Sequence, residues 1–181
     1  MAAIDFDELG LDYGANKQIT TEDYDKAMAV KCANGTYVGT KTEDILAWKG
    51  IPFAKPPVGK RRFKAPERPD DNYGVFEAYN YGKKPIWITN MAYGAYSEAN
   101  SEDCLYLNVF KGDDKTSKKP VMVWMHGGAF TLESASDPEY RGEKFVKAHP
   151  DVMLVTIEYR LGLFGFTNFD DIEGGEEFKG A

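Results

Sequence analysis

Two glycines placed directly after an apolar run are the first residues in this chain with an evident chemical use. Val121 to Phe130 reads VMVWMHGGAF. Gly127 and Gly128 let the backbone turn sharply at the end of a strand and leave no side chain between main-chain N–H groups and a bound group. Donors fixed in this way stabilise the oxyanion of a tetrahedral acyl-transfer intermediate, by about 3 kcal/mol per donor in a dry site. A Gly-Gly turn without chemistry is the alternative on this motif alone.

An oxyanion site serves a nucleophile, and none stands here in the usual setting. Gly-x-Ser-x-Gly, the strained elbow that exposes a serine, does not occur in the 181 residues, and no acid followed by a histidine completes a triad. Ser101, Ser134 and Ser136 lack the elbow, so no catalytic residue is assigned within this chain. His126 belongs to the glycine loop, where its natural role is to brace the turn by a hydrogen bond. His149 ends a charged helix just before Pro150 and is placed to cap the last carbonyls.

The elements that must position this loop follow from periodicity and turn chemistry. Residues 1–26 are polar and acidic without a sustained period and read as an arm or a short surface helix. AMAVKCANGTYVGT places two β-prone runs around Asn34-Gly35, a hairpin signal, and ILAWKGIPFA supplies a third strand. The proline-rich segment KPPVGKRRFKAPERPDDNYG forbids regular ladders. Residues 73–100 are aromatic and irregular, either lining a cavity with Trp87, Tyr93 and Tyr96 or capping the core. In CLYLNVF, Leu105, Leu107 and Val109 share one strand face. Val121 to Met125 is apolar throughout, the mark of a strand covered on both faces, and VMLVTIEYR reads as a second such strand. Between them DPEYRGEKFVKAHPD reads as a helix, so the unit is a strand–helix–strand crossover in a largely parallel sheet.

Bulk properties narrow the partners. With 43% hydrophobic residues the chain is globular, and its net charge of -7 argues against nucleic acid or an anionic membrane surface. No run is long enough to span a bilayer, and MAAIDFDELG carries acids where a secretory signal is basic and then apolar, which predicts a cytoplasmic protein. Cys32 and Cys104 are expected as free buried thiols, and two histidines exclude a histidine-rich metal centre. Neither a metal nor a cofactor is implied.

Four segments, GIPFAKPPVGKRRFKAPE, SEDCLYLNV, VMVWMHGGAF and VTIEYRLGLFGF, stand in an order and spacing that resembles the type-B carboxylesterase/lipase family, the α/β-hydrolase group that includes the cholinesterases. The resemblance covers about residues 27–181 and implies the N-terminal portion of an α/β-hydrolase fold: a mixed, mostly parallel central sheet with an N-terminal β-hairpin. It assigns Gly127, Gly128 and Ala129 to the oxyanion loop, Phe130 to the acyl site, and Arg62 with Glu102 to a buried ion pair. Arg160 matches an arginine whose buried aspartate partner lies beyond residue 181. Cys104 matches a cysteine usually bridged across the aromatic loop, but its partner position falls at about Pro85, so that crosslink is absent. No tryptophan matches the choline site, and Trp87 is not a substitute for one.

In the family the serine elbow, the acid and the histidine all lie C-terminal to the point reached here. The resemblance therefore implies a two-chain esterase: this chain supplies the oxyanion hole and a complementary C-terminal chain supplies the triad, acting on a small-molecule ester. By itself the chain is expected to be inactive. Left alone, VMVWM would form an apolar edge and Arg160 an unpaired buried guanidinium. A non-catalytic esterase-like interaction module, or an inactive truncated fragment, is the alternative.

Overall fold

The computed structural model describes residues 16–87, 99–114 and 118–178. Tyr93 and Tyr96 lie outside the described residues, as do the first 15 positions. The strands form two sheets. In the smaller, β1 (Gln18–Ile19), β2 (Ala29–Cys32), β3 (Gly35–Val38) and β6 (Val75–Glu77) lie in the order β1-β6-β3-β2. In the larger, β4 (Thr40–Thr42), β5 (Ile45–Pro52), β7 (Tyr106–Gly112), β8 (Val121–Met125) and β9 (Met153–Ile157) lie in the order β4-β5-β7-β9-β8. Two short helices follow β8 and β9 respectively, α1 (Gly142–Ala148) and α2 (Gly162–Phe166). None of the described helices is long and apolar enough to cross a membrane.

The N-terminal hairpin forms with its turn one residue earlier than Asn34-Gly35 suggests. Cys32 pairs with Gly35, so Ala33 and Asn34 make the turn. Asn34 is used through its side chain, which donates to the Pro52 carbonyl at 2.9 Å. Gly35 sits at φ 145° against the Phe76 ring, where an added Cβ would approach to 2.9 Å. The segment expected as a surface arm is joined to the fold from residue 16 onward, because β1 pairs with β6.

The larger sheet is mixed. β8 pairs parallel with β9, as the strand–helix–strand pattern requires, while β4/β5, β5/β7 and β7/β9 are antiparallel. One face packs on α1 through Ile45, Ala47, Phe110, Val146 and Leu154. The other meets the small sheet through Trp48, Leu46, Ile51 and Val109. In β7, Leu107 and Val109 share one face as expected, turned toward the small sheet. Leu107 and Val109 are half-buried, and the buried positions are Asn108, Phe110 and Gly112 on the opposite face. Asn108 is tolerated there because its amide is satisfied on both sides: Oδ1 accepts from Gly50 N–H at 2.9 Å and Nδ2 donates to Thr156 Oγ1 at 3.0 Å. This bond spans the irregularity between Trp48 and Ile51 in β5, where Gly50 takes φ 67°.

β8 lies at the edge that the apolar run was expected to form in this chain alone. Among the described residues no strand lies on its far side, and its faces, expected to be covered, are largely exposed. Val121, Val123, Trp124 and Met125 are 57, 55, 38 and 65% exposed. An apolar strand with open N–H and C=O groups is an edge that invites pairing.

Replacing Asn108 by Ala strands the buried Gly50 N–H, so the variant should lose about 2 kcal/mol of stability. Urea unfolding with an unchanged m-value reads this directly, and an unchanged midpoint contradicts it.

Candidate active site

The glycine loop leaves β8 at His126 and is bent by consecutive left-handed residues: Gly128 at φ 101°, Ala129 at 52°, Phe130 at 61° and, after two more residues, Glu133 at 73°. For the three non-glycine residues this conformation costs of order 1–3 kcal/mol each, so the surroundings must hold it. At Gly128 a Cβ would lie 2.1 Å from the Leu132 carbonyl oxygen. At Gly127 a Cβ would meet nothing closer than 3.7 Å, so only the second glycine is sterically required by the described residues.

Peptide orientation follows from where the carbonyls go. The Gly128 carbonyl accepts from Thr131 N–H at 3.0 Å, Leu132 N–H at 3.1 Å and Thr131 Oγ1 at 3.2 Å. The Gly127 carbonyl accepts from His126 Nδ1 at 3.0 Å. In a trans peptide the N–H of the next residue points opposite to the carbonyl. Ala129 N–H and Gly128 N–H are therefore turned away from the loop interior, and among the described residues neither has an acceptor.

The loop rests on the segment after β9. Tyr159 stacks on the His126 ring at 4.4 Å and donates its hydroxyl to the His126 carbonyl at 2.6 Å. Gly162 N–H donates to the Phe130 carbonyl at 2.7 Å, and the Phe130 ring leans on Phe166 at 4.8 Å. Phe130 is 62% exposed beside the two outward amides.

Beneath the loop lies a buried polar cluster. Ser134 Oγ donates to Glu158 Oε1 at 2.6 Å and lies 2.6 Å from Ser136 Oγ. Glu158 Oε2 faces His126 Nε2 at 3.6 Å. Burial pushes the Glu158 carboxyl up to about 7, against the hydrogen bonds from Ser134 and the Ala135 N–H. Burial holds His126 below its ordinary value. Ser134 and Ser136 are structural, and Ser101 closes a turn by accepting from Asp103 N–H at 3.0 Å.

Of the other sequence-assigned residues, Arg62 and Glu102 form a two-pronged ion pair, though not a buried one: their side chains are 46 and 17% exposed. Arg160 is not unpaired. Half-buried, it donates to the Lys64 carbonyl at 2.9 Å and makes a further interaction, so the expected orphan guanidinium does not arise. Cys104 is a buried free thiol, raised by desolvation, whereas Cys32 is exposed on the hairpin, contrary to the expectation of two buried thiols. At Pro85, the carbonyl accepts from the Asn100 amide at 2.8 Å, and Lys84 N–H and Ser101 N–H bond to the Ala99 and Lys84 carbonyls. The described ends of the aromatic loop are thus tied by hydrogen bonds. Buried Lys84 also ion-pairs with Asp137 at 2.5 Å, linking that loop to the segment before α1. His149 is exposed at the C-terminus of α1, its N–H on the Phe145 carbonyl and its ring beside Phe145.

The mixed sheet, with its glycine loop leaving the edge strand, is an N-terminal portion of an α/β-hydrolase fold. The chain belongs to the carboxylesterase family, whose model matches residues 26–180. It is 47% identical over 135 residues to para-nitrobenzyl esterase of Bacillus subtilis (strain 168), covering 73% of this chain and 27% of that protein. It is 46% identical over 136 residues to juvenile hormone esterase of Tribolium castaneum, covering 70% and 21%. Among solved structures, a para-nitrobenzyl esterase matches with a TM-score of 0.72 at 41% identity over 83% of this chain and 32% of its own. A carboxylesterase of Geobacillus stearothermophilus matches with a TM-score of 0.72 at 44% identity, over 83% and 30%. The chain thus spans between 21 and 27% of the length of these two curated relatives.

The two buried groups under the loop give stability slopes of opposite sign. Glu158 is raised from 4.5 to about 7, so the stability it contributes is full below about 4.5 and is lost as pH rises through about 7. His126 is lowered from 6.5, so its contribution is present above 6.5 and is lost as pH falls through the depressed value. His126→Gln should leave stability that declines as pH is raised from about 5 to 7, and Glu158→Gln stability that declines as pH is lowered over that range. Urea unfolding across the interval compares them, and slopes of the same sign contradict the assignment.

Proposed function

We propose that this chain acts as the N-terminal portion of a serine carboxylesterase. It supplies the oxyanion hole through Gly128 and Ala129 N–H, and a complementary C-terminal esterase chain brings the serine, the Glu or Asp, and the histidine. The observation that carries the reading is the pair of adjacent amides turned outward, without an acceptor among the described residues. Gly127 shapes the turn and Phe130 forms one wall of the acyl pocket. The partner docks along β8, a role supported by that strand's open edge and by the exposed Phe130, Leu163 and Phe166 nearby. A cytoplasmic setting belongs to the same reading, supported by the free thiol of Cys104.

In the reaction, the partner's serine Oγ attacks the ester carbonyl while its histidine takes the hydroxyl proton. The carbonyl oxygen becomes an oxyanion held by the two amides here and one from the partner. Collapse expels the alcohol, which takes the proton from histidine. Water then repeats the sequence on the acyl-enzyme and releases the acid.

The isolated chain should not turn over a short-chain aryl ester, and adding the complementary chain should restore hydrolysis. In the assembled enzyme Gly128→Ala should lower kcat by about 100-fold, the scale of losing an oxyanion donor. Turnover by the isolated chain contradicts the missing nucleophile. The masses of all polypeptides in the native particle test the partner: a single longer chain carrying both halves would replace the two-chain arrangement and leave the oxyanion assignment standing.

A further inference from the structure

The register that pairs Met125 with Ile157 sets the next residues of each strand, His126 and Glu158, side by side on the sheet's buried face. The His126 side chain is fully buried and that of Glu158 is 2% exposed. His126 Nδ1 lies 3.0 Å from the Gly127 carbonyl, and because a carbonyl only accepts, Nδ1 carries the hydrogen. In the neutral ring Nε2 is then a bare lone pair. It faces Glu158 Oε2 at 3.6 Å, and neither atom has another hydrogen-bond partner among the described residues. The carboxyl's other oxygen is already engaged by Ser134 Oγ at 2.6 Å.

Two acceptors facing each other in a dry interior repel, and two donors do the same. One proton between them makes a hydrogen bond. We propose that His126 and Glu158 share a single proton, Oε2–H donating to Nε2, and that the pair acts as a positioning device for the oxyanion loop. The inference rests on the reading of Gly128 and Ala129 as oxyanion donors. The link is geometric. The shared proton fixes the imidazole, the imidazole Nδ1–H fixes the Gly127 carbonyl, and that carbonyl sets the direction of Gly128 N–H on the same peptide plane. When the proton is lost, Oε2 and Nε2 push apart and the donor is misaimed.

The surrounding charges are consistent with one proton at neutral pH. Asp137, ion-paired with Lys84 on the aromatic loop, disfavours the Glu158 anion and favours a His126 cation, and Lys84 favours the anion. Glu133, hydrogen-bonded by Tyr140, also favours the cation. Tyr159 stacks on the ring, and the buried Cys104 thiol, near enough to be raised by Glu158, adds no charge while protonated. Burial drives both members of the pair toward their neutral forms.

The test has two arms. In the first, the full chain is labelled with 15N-histidine and its two imidazoles, told apart with His149→Gln, are followed by NMR from about pH 5 to 9. His126 should hold the neutral Nδ1–H form with an accepting Nε2, and both ring signals should move together as the pair loses its proton near 7. Glu158→Gln, whose amide can donate permanently to Nε2, should abolish that movement. His126 titrating like a free histidine in the wild-type chain overturns the proposal without recourse to any variant.

The second arm is the pH profile of the assembled esterase. Wild-type kcat should fall about tenfold above pH 8, a fraction of the loss of a whole oxyanion donor, while Glu158→Gln should change less than about twofold and leave KM unaltered. Identical alkaline limbs overturn the positioning role even if the proton is shared, and leave the oxyanion assignment intact. Absence of ester hydrolysis in any assembly overturns the proposed function and the positioning role with it, while the spectra still judge the shared proton.

Discussion

The parallel pairing of Val121–Met125 with Met153–Ile157 is the contact on which the site depends. Because the two strands run together and end in register, the segments that leave them emerge at the same end of the sheet. The glycine loop on one side is then supported by Tyr159, Gly162 and Phe166 on the other. A loop with three non-glycine residues in left-handed conformations cannot hold itself; the strain is offset by these bonds and by the buried cluster beneath. A register shift of one residue would carry Glu158 to the opposite face of the sheet and remove the cluster entirely.

That support comes from one side only. β8 has β9 as its sole strand neighbour among the described residues, and its other edge carries unpaired main-chain groups between exposed apolar side chains. The geometry of the glycine loop is set by β9 and the segment after it.

Much of this was legible in the residues, for physical reasons that differ by element. The β8–α1–β9 unit was readable because continuous apolar runs flank a helical stretch, and the hairpin because Asn34 and Gly35 interrupt two β-prone runs. The turn was misplaced by one residue since Asn34 is used through its side chain, bonding Pro52, rather than for backbone freedom. Hydrophobicity alone could not anticipate Asn108, which is buried on the other face of β7 because Gly50 and Thr156 satisfy its amide. The sharp turn at Gly127 to Phe130 and the Arg62–Glu102 pair were legible too. Glu158 was missed although it left a signal: an acid two places beyond Thr156 in a strand whose alternate residues, Leu154 and Thr156, face inward. Lys84 and Asp137 left none, since their pairing joins segments far apart in sequence.

Asn16 stands ten residues before the start of the family match, yet its carboxamide is among the most used in the molecule. It donates to the carbonyls of Lys49, Gly50 and Asn80 and accepts from the N–H groups of Tyr79 and Asn80, stitching the bulged strand β5 to the stretch that follows β6. Trimming the polypeptide to the conserved boundary would uncap all five main-chain groups at the seam between the sheets. The segment that folds as a unit therefore begins upstream of residue 26, where the family match starts.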